Sequence, residues 1–244
     1  MKRVVSSFLR LGGIVAMALS VGLVSSCEKQ ATEMSVNMTT STQGAVIYQG
    51  QTLSFSFVVP GASIEDLVLE AKSDNPDYTV EVKPSVATAG GMLYVTAPKY
   101  IFSPATVTVT LTASEASRKS EYKFAIEAKM PGTFVEYTSA ANTFLIAPGA
   151  FAKLPAYKGV SSEKLDFASA DLVWQDSKGL VEDLVADPAN GVFWVVLAKG
   201  VSGNAVVALK DSEGVIVWSY QLWVSSYDPS ARVMKYTYTP AEGE

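Results

Sequence analysis

Histidine is missing from the 244-residue sequence, and cysteine occurs once. The first absence removes Ser-His-Asp and Cys-His nucleophilic arrangements, His-ligated zinc and an imidazole general base. The second removes an internal disulfide, a CxxC redox pair and an iron–sulfur site. Basic residues are also few. With 19 Lys+Arg against 24 Asp+Glu, the formal charge is −5, whereas a nucleic-acid surface needs clustered cations. No pattern calls for a metal or another cofactor, and none is expected. What the chain does have is apolar content, at 48% of residues, enough for one large or two small domains at this length.

The apolar content begins at the N-terminus. Lys2, Arg3 and Arg10 form a positive region, followed by an apolar stretch from Leu11 to Val24. That stretch is short for a membrane-spanning helix, and no stop-transfer charges follow it, so residues 1–26 read as a secretory signal peptide. It ends in Leu23-Val24-Ser25-Ser26-Cys27, small residues directly before the single cysteine. The pattern resembles a bacterial lipobox. That resemblance implies cleavage before Cys27, acylation of its thiol, and anchoring of the chain on a membrane. Several acyl chains, each contributing about 0.8 kcal/mol per buried CH₂, hold a protein far more firmly than one. Cleavage would remove three cations and no acids, shifting the charge from −5 to −8. Glu28 and Lys29 directly after the cysteine resemble the surface-export signal of Bacteroidota lipoproteins, which implies an outer-membrane, surface-exposed location. Residues 27–42 are polar and rich in Thr and Ser, as suits a tether.

Beyond the tether the pattern is that of strands. Thr52–Val59, Tyr78–Val82, Met92–Thr96, Ala105–Thr112 and Glu121–Glu127 are runs of β-branched and aromatic residues, several alternating polar with apolar. Gln49-Gly50, Pro60-Gly61, Asp74-Asn75-Pro76-Asp77, Gly90-Gly91 and Ser103-Pro104 read as turns between them. Ile64–Ala71 fits a short helix, although Val68-Leu69-Glu70 also fits a strand. Short strands at this spacing close most simply as a β-sandwich, predicted over residues 43–129. The run from Tyr94 through the Val-Thr repeats to Phe124 resembles the immunoglobulin-like modules of surface lipoproteins. Met130-Pro131-Gly132 marks a boundary, and a second β-sandwich is predicted over residues 133–238. Its apolar segments are Thr143–Ile146, Asp171–Trp174, Val192–Leu197, Ala205–Leu209 and Val215–Val224. Asp211-Ser212-Glu213-Gly214 predicts a hairpin turn between the last two. Val192–Leu197 is apolar without interruption, which suits a strand covered on both faces or lying at a domain contact. The fold class is therefore all-β, with two tandem immunoglobulin-like sandwiches.

The second unit carries a more specific pattern. Gly203-Asn204-Ala205 opens a hydrophobic run to Leu209, then come Lys210-Asp211, Gly214 and the strand Ile216-Val217-Trp218-Ser219-Tyr220-Gln221-Leu222-Trp223-Val224, with Asp228-Pro229 after it. Ala141-Asn142-Thr143-Phe144 and Val173-Trp174 precede these in order. The set resembles the C-terminal module of fimbrillin-like lipoproteins of Bacteroidota over residues 135–229. The resemblance implies a surface location and a structural β-module. Gln221 stands where that family often has His, and Tyr220 where it often has Trp. The N-terminal half does not match a fimbrial subunit, which weighs against filament assembly by strand exchange.

Extended geometry sorts the aromatic strand into two faces: Trp218, Tyr220 and Leu222 on one, Ser219, Gln221 and Trp223 on the other. If the first face enters the core, Trp223 stands beside Gln221 in solvent, an arrangement suited to stacking on a sugar ring. Coverage of both faces, by core and by a neighbouring loop or domain, is the plainer expectation because large aromatics mostly serve packing. The same expectation applies to Trp174 and more strongly to Trp194. Glu65, Asp66, Asp74 and Asp77 offer oxygen ligands for calcium, but their spacing matches no known loop, and Asn75-Pro76 favours an Asx turn. Glu182, Asp183 and Asp187 are the acids from which a histidine-free glycosidase pair would come; charge on an exposed loop explains them as well. Tyr227, Tyr236 and Tyr238 fit either a last strand or an adhesive edge.

The combined expectation is a non-enzymatic, lipid-anchored surface protein for adhesion or fimbria-like assembly. Cys27 is the lipidation site, and Trp218, Tyr220, Gln221 and Trp223 are candidate ligand or assembly contacts. The expected partners are the membrane, and surface proteins or glycans, but not nucleic acid. The alternative is a glycan-binding lipoprotein of a polysaccharide-uptake system, which requires an exposed aromatic platform involving Trp223.

Overall fold

Alternation of apolar and polar residues governs the chain, and the regular elements of residues 33–227, those described by the computed structural model, are all strands. Cys27, Tyr236 and Tyr238 lie outside the described residues. The first half contributes β1 (Asn37–Met38), β2 (Val46–Tyr48), β3 (Thr52–Val58), β4 (Val68–Ser73), β5 (Thr79–Pro84), β6 (Gly90–Thr96), β7 (Ala105–Glu115) and β8 (Arg118–Lys129). The second contributes β9 (Phe134–Glu136), β10 (Thr143–Ile146), β11 (Phe151–Pro155), β12 (Ser169–Gln175), β13 (Val181–Asp187), β14 (Val192–Leu197), β15 (Gly203–Lys210) and β16 (Ile216–Val224). They form four four-stranded sheets: sheet I, β1-β3-β6-β5; sheet II, β2-β8-β7-β4; sheet III, β13-β14-β11-β9; and sheet IV, β10-β16-β15-β12.

Sheets I and II share one core. Phe55, Leu93 and Val95 from sheet I meet Ile47, Val107, Val109, Leu111 and Ile126 from sheet II. The β8 sequence shows why: Phe124, Ile126 and Ala128 are buried, while Lys123, Ala125, Glu127 and Lys129 face solvent. Each fully buried aliphatic side chain contributes roughly 1.5–3 kcal/mol of transfer free energy, so a strand with this alternation has one favourable register. Sheets III and IV enclose a second core built from Ala152, Leu154, Phe193 and Val195 on one side and Val207, Leu209, Tyr220 and Leu222 on the other. The two units close alike. A short early strand runs parallel to the last long strand, β2 beside β8 in the first unit and β10 beside β16 in the second. The hairpin between β15 and β16 turns at Gly214, whose φ of +83° suits glycine. Asp211 Oδ1 accepts hydrogen bonds from the Glu213 and Val215 N–H groups there.

Four expectations change in the structure. The stretch expected as a tether over residues 27–42 enters the first unit, where Asn37–Met38 pairs with β3 and Met34 and Val36 lie in the core. Ile64–Ala71 is not a helix: a turn at residues 64–66 leads into β4, so the strand alternative for Val68-Leu69-Glu70 holds, and Leu69 and Ala71 pack on the core. Gly90-Gly91 is not a turn but the start of β6, paired with both β3 and β5. A Cβ on Gly91 would lie 2.2 Å from the Lys83 carbonyl oxygen, and one on Gly90 would lie 2.4 Å from that of Phe57. The glycines are there because neighbouring backbones approach closely. Finally β9, β11 and β13 are strands that apolar runs did not reveal. Strand β13, Val181–Asp187, pairs along its length with an apolar neighbour, β14, with one irregularity between Val181 and Asp183.

Part of the outer face of sheet III, around Phe151, Trp194 and Asp183, is met by the first unit. The connection between β6 and β7 carries Lys99, Tyr100 and Phe102 across to it. The Tyr100 ring stacks on Phe151 at 5.6 Å, and Phe102 meets Trp194 at 4.9 Å. Phe151 and Trp194 stack on each other at 5.0 Å. Lys99 Nζ and the Tyr100 hydroxyl both donate to Asp183 Oδ2, at 2.5 and 2.6 Å. Strand β14 thus has a core on one face and a domain contact on the other, which explains its unbroken apolar sequence. Trp194 is 3% exposed.

Candidate functional site

Sheet IV is open on its outer face. Register sets which side chains stand there. Gln221 pairs with Thr143 on one side and Val206 on the other, and Val206 pairs with Trp174. In the next row Trp223 lies between Leu145 and Asn204. Trp223 is 46% exposed and Trp174 is 52% exposed. The two indoles therefore share one face on strands separated by β15. Their offset is two strand spacings and one side-chain repeat, on the order of 12 Å between Cα atoms.

Trp174 reaches this face through an irregularity. The β12–β15 register shifts between Leu172 and Trp174, so Val173 is the extra residue of a bulge. Bulges re-aim the side chains that follow them. The expectation that Trp174 and Trp223 are covered is corrected on this point: no loop or domain among the described residues encloses either ring. The Leu-Val-Trp run reads as interior, but β12 is an edge strand, where Leu172, Val173 and Trp174 are all exposed.

Polar groups frame the indoles. The Thr143 hydroxyl is 3.4 Å from Gln221 Oε1, leaving the amide nitrogen of Gln221 as the end that can donate outward. The Asn204 side-chain amide donates to Asp176 Oδ2 at 3.2 Å. Hydrogen bonds from the Asn204 main chain and then its side chain hold the Asp176 carboxyl below its usual range, so it stays ionised and accepts hydrogen bonds. Gly203 makes room for that carboxylate, since a Cβ there would lie 2.1 Å from Asp176 Oδ1. Lys210, the only Lys or Arg in the four strands of sheet IV, is paired with Asp171 at 2.7 Å.

The other aromatic candidates serve the interior. Tyr220 is 1% exposed, and its hydroxyl donates to the Tyr157 carbonyl at 2.6 Å. Burial pushes its phenol well above the ordinary value. Trp218 is half-buried against the core, and its Nε1–H donates to Asn142 Oδ1 at 3.2 Å. Together they hold the loop around Tyr157 and Gly159 against β16. Gln221 and Trp223 face outward with Ser219, as the two-residue period requires.

The acidic candidates are dispersed. Asn75 Oδ1 accepts the Asp77 N–H in an Asx turn, and Asp74 Oδ1 accepts the Thr108 N–H. Among the described residues no cluster of acids is placed to hold a metal ion. Asp183 is committed to Lys99 and Tyr100, and Asp187 binds Asn190 through both carboxylate oxygens. Glu182 lines a shallow cleft at the junction with Gln49 and Lys199. Glu182, Asp183 and Asp187 thus have three different surroundings.

No protein-family model matches the chain, and no curated protein matches its sequence. Several solved structures are similar in part. Domains 4 and 5 of the S-layer protein SbsC are 14% identical over 38% of this chain and 50% of that one, with a TM-score of 0.29. The endo-fucoidan hydrolase MfFcnA4, of glycoside hydrolase family 107, is 9% identical over 78% of this chain and 28% of that one, at 0.38. Protocadherin Gamma B7 extracellular cadherin domains 1–4 are 12% identical over 79% and 51%, at 0.35. The chain spans about half or less of each of these three structures.

Proposed function

We propose that the chain is a non-enzymatic bacterial surface protein, held on the outer membrane by acyl chains on Cys27 and acting in adhesion. The outer face of sheet IV is its contact surface. The observation that carries the reading is the pair Trp174 and Trp223, each about half exposed on one face of a sheet whose other face is core. An aromatic ring left in solvent costs apolar hydration that packing would have removed, and exposed aromatics of this kind mark contact sites. The junction of Tyr100, Phe102, Phe151 and Trp194 fixes sheet III against the first unit and leaves sheet IV as the open side of the second. The lipobox pattern and the fimbrillin-like order of motifs over residues 135–229 support a surface location. Between adhesion and fimbria-like assembly, the geometry favours adhesion: both exposed indoles project from the sheet face, and an added strand at the β10 or β12 edge would pair through main-chain groups and leave that face open.

The test is cellular. Cells expressing Cys27→Ala should release the protein from the membrane fraction. Cells expressing Trp174→Ala together with Trp223→Ala should keep it anchored and lose attachment. Full attachment by the double variant would overturn the assignment of the face.

A further inference from the structure

We infer that the sheet IV face binds an uncharged glycan chain, laid diagonally across β12, β15 and β16 with pyranose rings stacked on Trp174 and Trp223. The inference rests on the contact surface proposed above and names its ligand class. An indole in water offers a flat apolar face that the C–H face of a pyranose ring covers, while the sugar's rim of hydroxyl groups needs donors and acceptors nearby. Sheet IV supplies both. Between the indoles lie Val206 and Asn204, and beside them lie the outward amide of Gln221 and the carboxylate of Asp176. Asp176 is held ionised by Asn204 and is placed to accept from hydroxyl groups. Two indoles on Cα atoms on the order of 12 Å apart, on strands separated by β15, suit a short run of linked sugars better than a single one.

Charge selects among glycans. Lys210 is bound to Asp171, so the strands present no free cation, and Asp176 adds a negative charge. A sulfated or uronate-rich chain would meet repulsion from Asp176 with no free counter-charge on the four strands, whereas a neutral chain meets none. A second copy of this protein is disfavoured for a related reason. An apolar self-contact would enclose Asp176, Asn204 and Gln221, whose polar groups would need partners of their own.

The decisive experiment uses the full mature chain beginning at Cys27, in detergent micelles, titrated calorimetrically with neutral oligosaccharides of the glucan, mannan and xylan series. Polygalacturonate and heparin serve as anionic controls. At least one neutral series should bind, with affinity rising with chain length until both indoles are covered. Trp174→Ala and Trp223→Ala should each weaken it about tenfold, the loss of one stacked ring, and Trp→Phe at either site should restore part of that. Both side chains are largely exposed, so unchanged thermal unfolding of the variants serves as the folding control. Binding only to the anionic chains, neutral binding that survives the double substitution, or no neutral binding would each overturn the glycan assignment. So would a wild-type dimer in sedimentation that is lost in Trp223→Ala. Absence of glycan binding together with attachment that still depends on both tryptophans would remove the ligand class and leave the adhesion face standing.

Discussion

Phe102 is the side chain through which the first unit reaches Trp194, and Phe102→Ala tests whether that contact joins the units. Phe102 keeps 40% of its surface in solvent. Covering the rest of a ring of roughly 200 Å² removes on the order of 120 Å² from water, which at 25 cal/mol/Å² contributes about 3 kcal/mol. Pairing with Trp194 at 4.9 Å and Phe151 at 6.1 Å adds about 0.5–1.5 kcal/mol. Part of the ring is covered by Tyr100 of its own unit, so the expected loss is about 2–4 kcal/mol, borne mainly by the junction. The assay is urea unfolding followed by tryptophan fluorescence and by circular dichroism. Trp194 is buried, Trp218 is partly buried on the second core, and Trp174 and Trp223 are about half exposed, so the most blue-shifted emission reports chiefly on Trp194 and is assigned by repeating the measurement in a Trp218→Phe background. In the variant that emission should move to the red and become open to iodide quenching at urea concentrations where the strand signal is intact. A loss below about 0.5 kcal/mol, with Trp194 still shielded, would refute the view that Phe102 closes the junction.

Asp183 gives the junction a pH dependence. Hydrogen bonds from Lys99 and then Tyr100 hold its carboxyl below the usual range. The stabilisation is therefore complete above the unfolded value of about 3.9 and is lost as pH falls through the lower folded value. The melting-temperature gap between wild type and Asp183→Asn should be constant near neutrality and should close in acid below about pH 4; a gap that widens in acid would show the sign to be wrong. Tyr220→Phe leaves the Tyr157 carbonyl without its hydroxyl donor and should cost about 1–3 kcal/mol in chemical denaturation, with no change in binding at the Trp face. Gly91→Ala places a methyl group against the Lys83 carbonyl and should destabilise the first unit by about 3 kcal/mol or more, measured by loss of hydrogen-exchange protection in β3, β5 and β6 while β14–β16 stay protected.

Legibility in the sequence followed the local period. Where a strand has one wet and one dry face, as in β8 and β16, alternation alone assigned the sides. It separated Trp218, Tyr220 and Leu222 from Ser219, Gln221 and Trp223. The apolar run of β14 was legible as doubly covered, though nothing local told a core neighbour from the domain contact that Phe102 makes. Contacts distant in sequence carried no such signal. Asp183 finds Lys99 at a separation of 84 residues, so an acidic stretch that reads as a loop becomes a paired strand with a bound carboxylate. The exposure of Trp174 was hidden for a topological reason: its Leu-Val-Trp run has the composition of an interior strand, but β12 lies at a sheet edge and bulges there. Gly90 and Gly91 were misassigned because glycine serves both turns and close backbone approach, and only the flanking strands decide which.

The most direct test of the proposed contact surface is oxidative footprinting of the four tryptophans on intact cells, read by mass spectrometry with and without a neutral glycan that binds. The expected result is rapid labelling of Trp174 and Trp223, slow labelling of Trp194, and joint protection of the first two when glycan is added. Protection of Trp174 and Trp223 before any ligand is present, or protection of one without the other at saturation, would contradict a single open face that spans both rings.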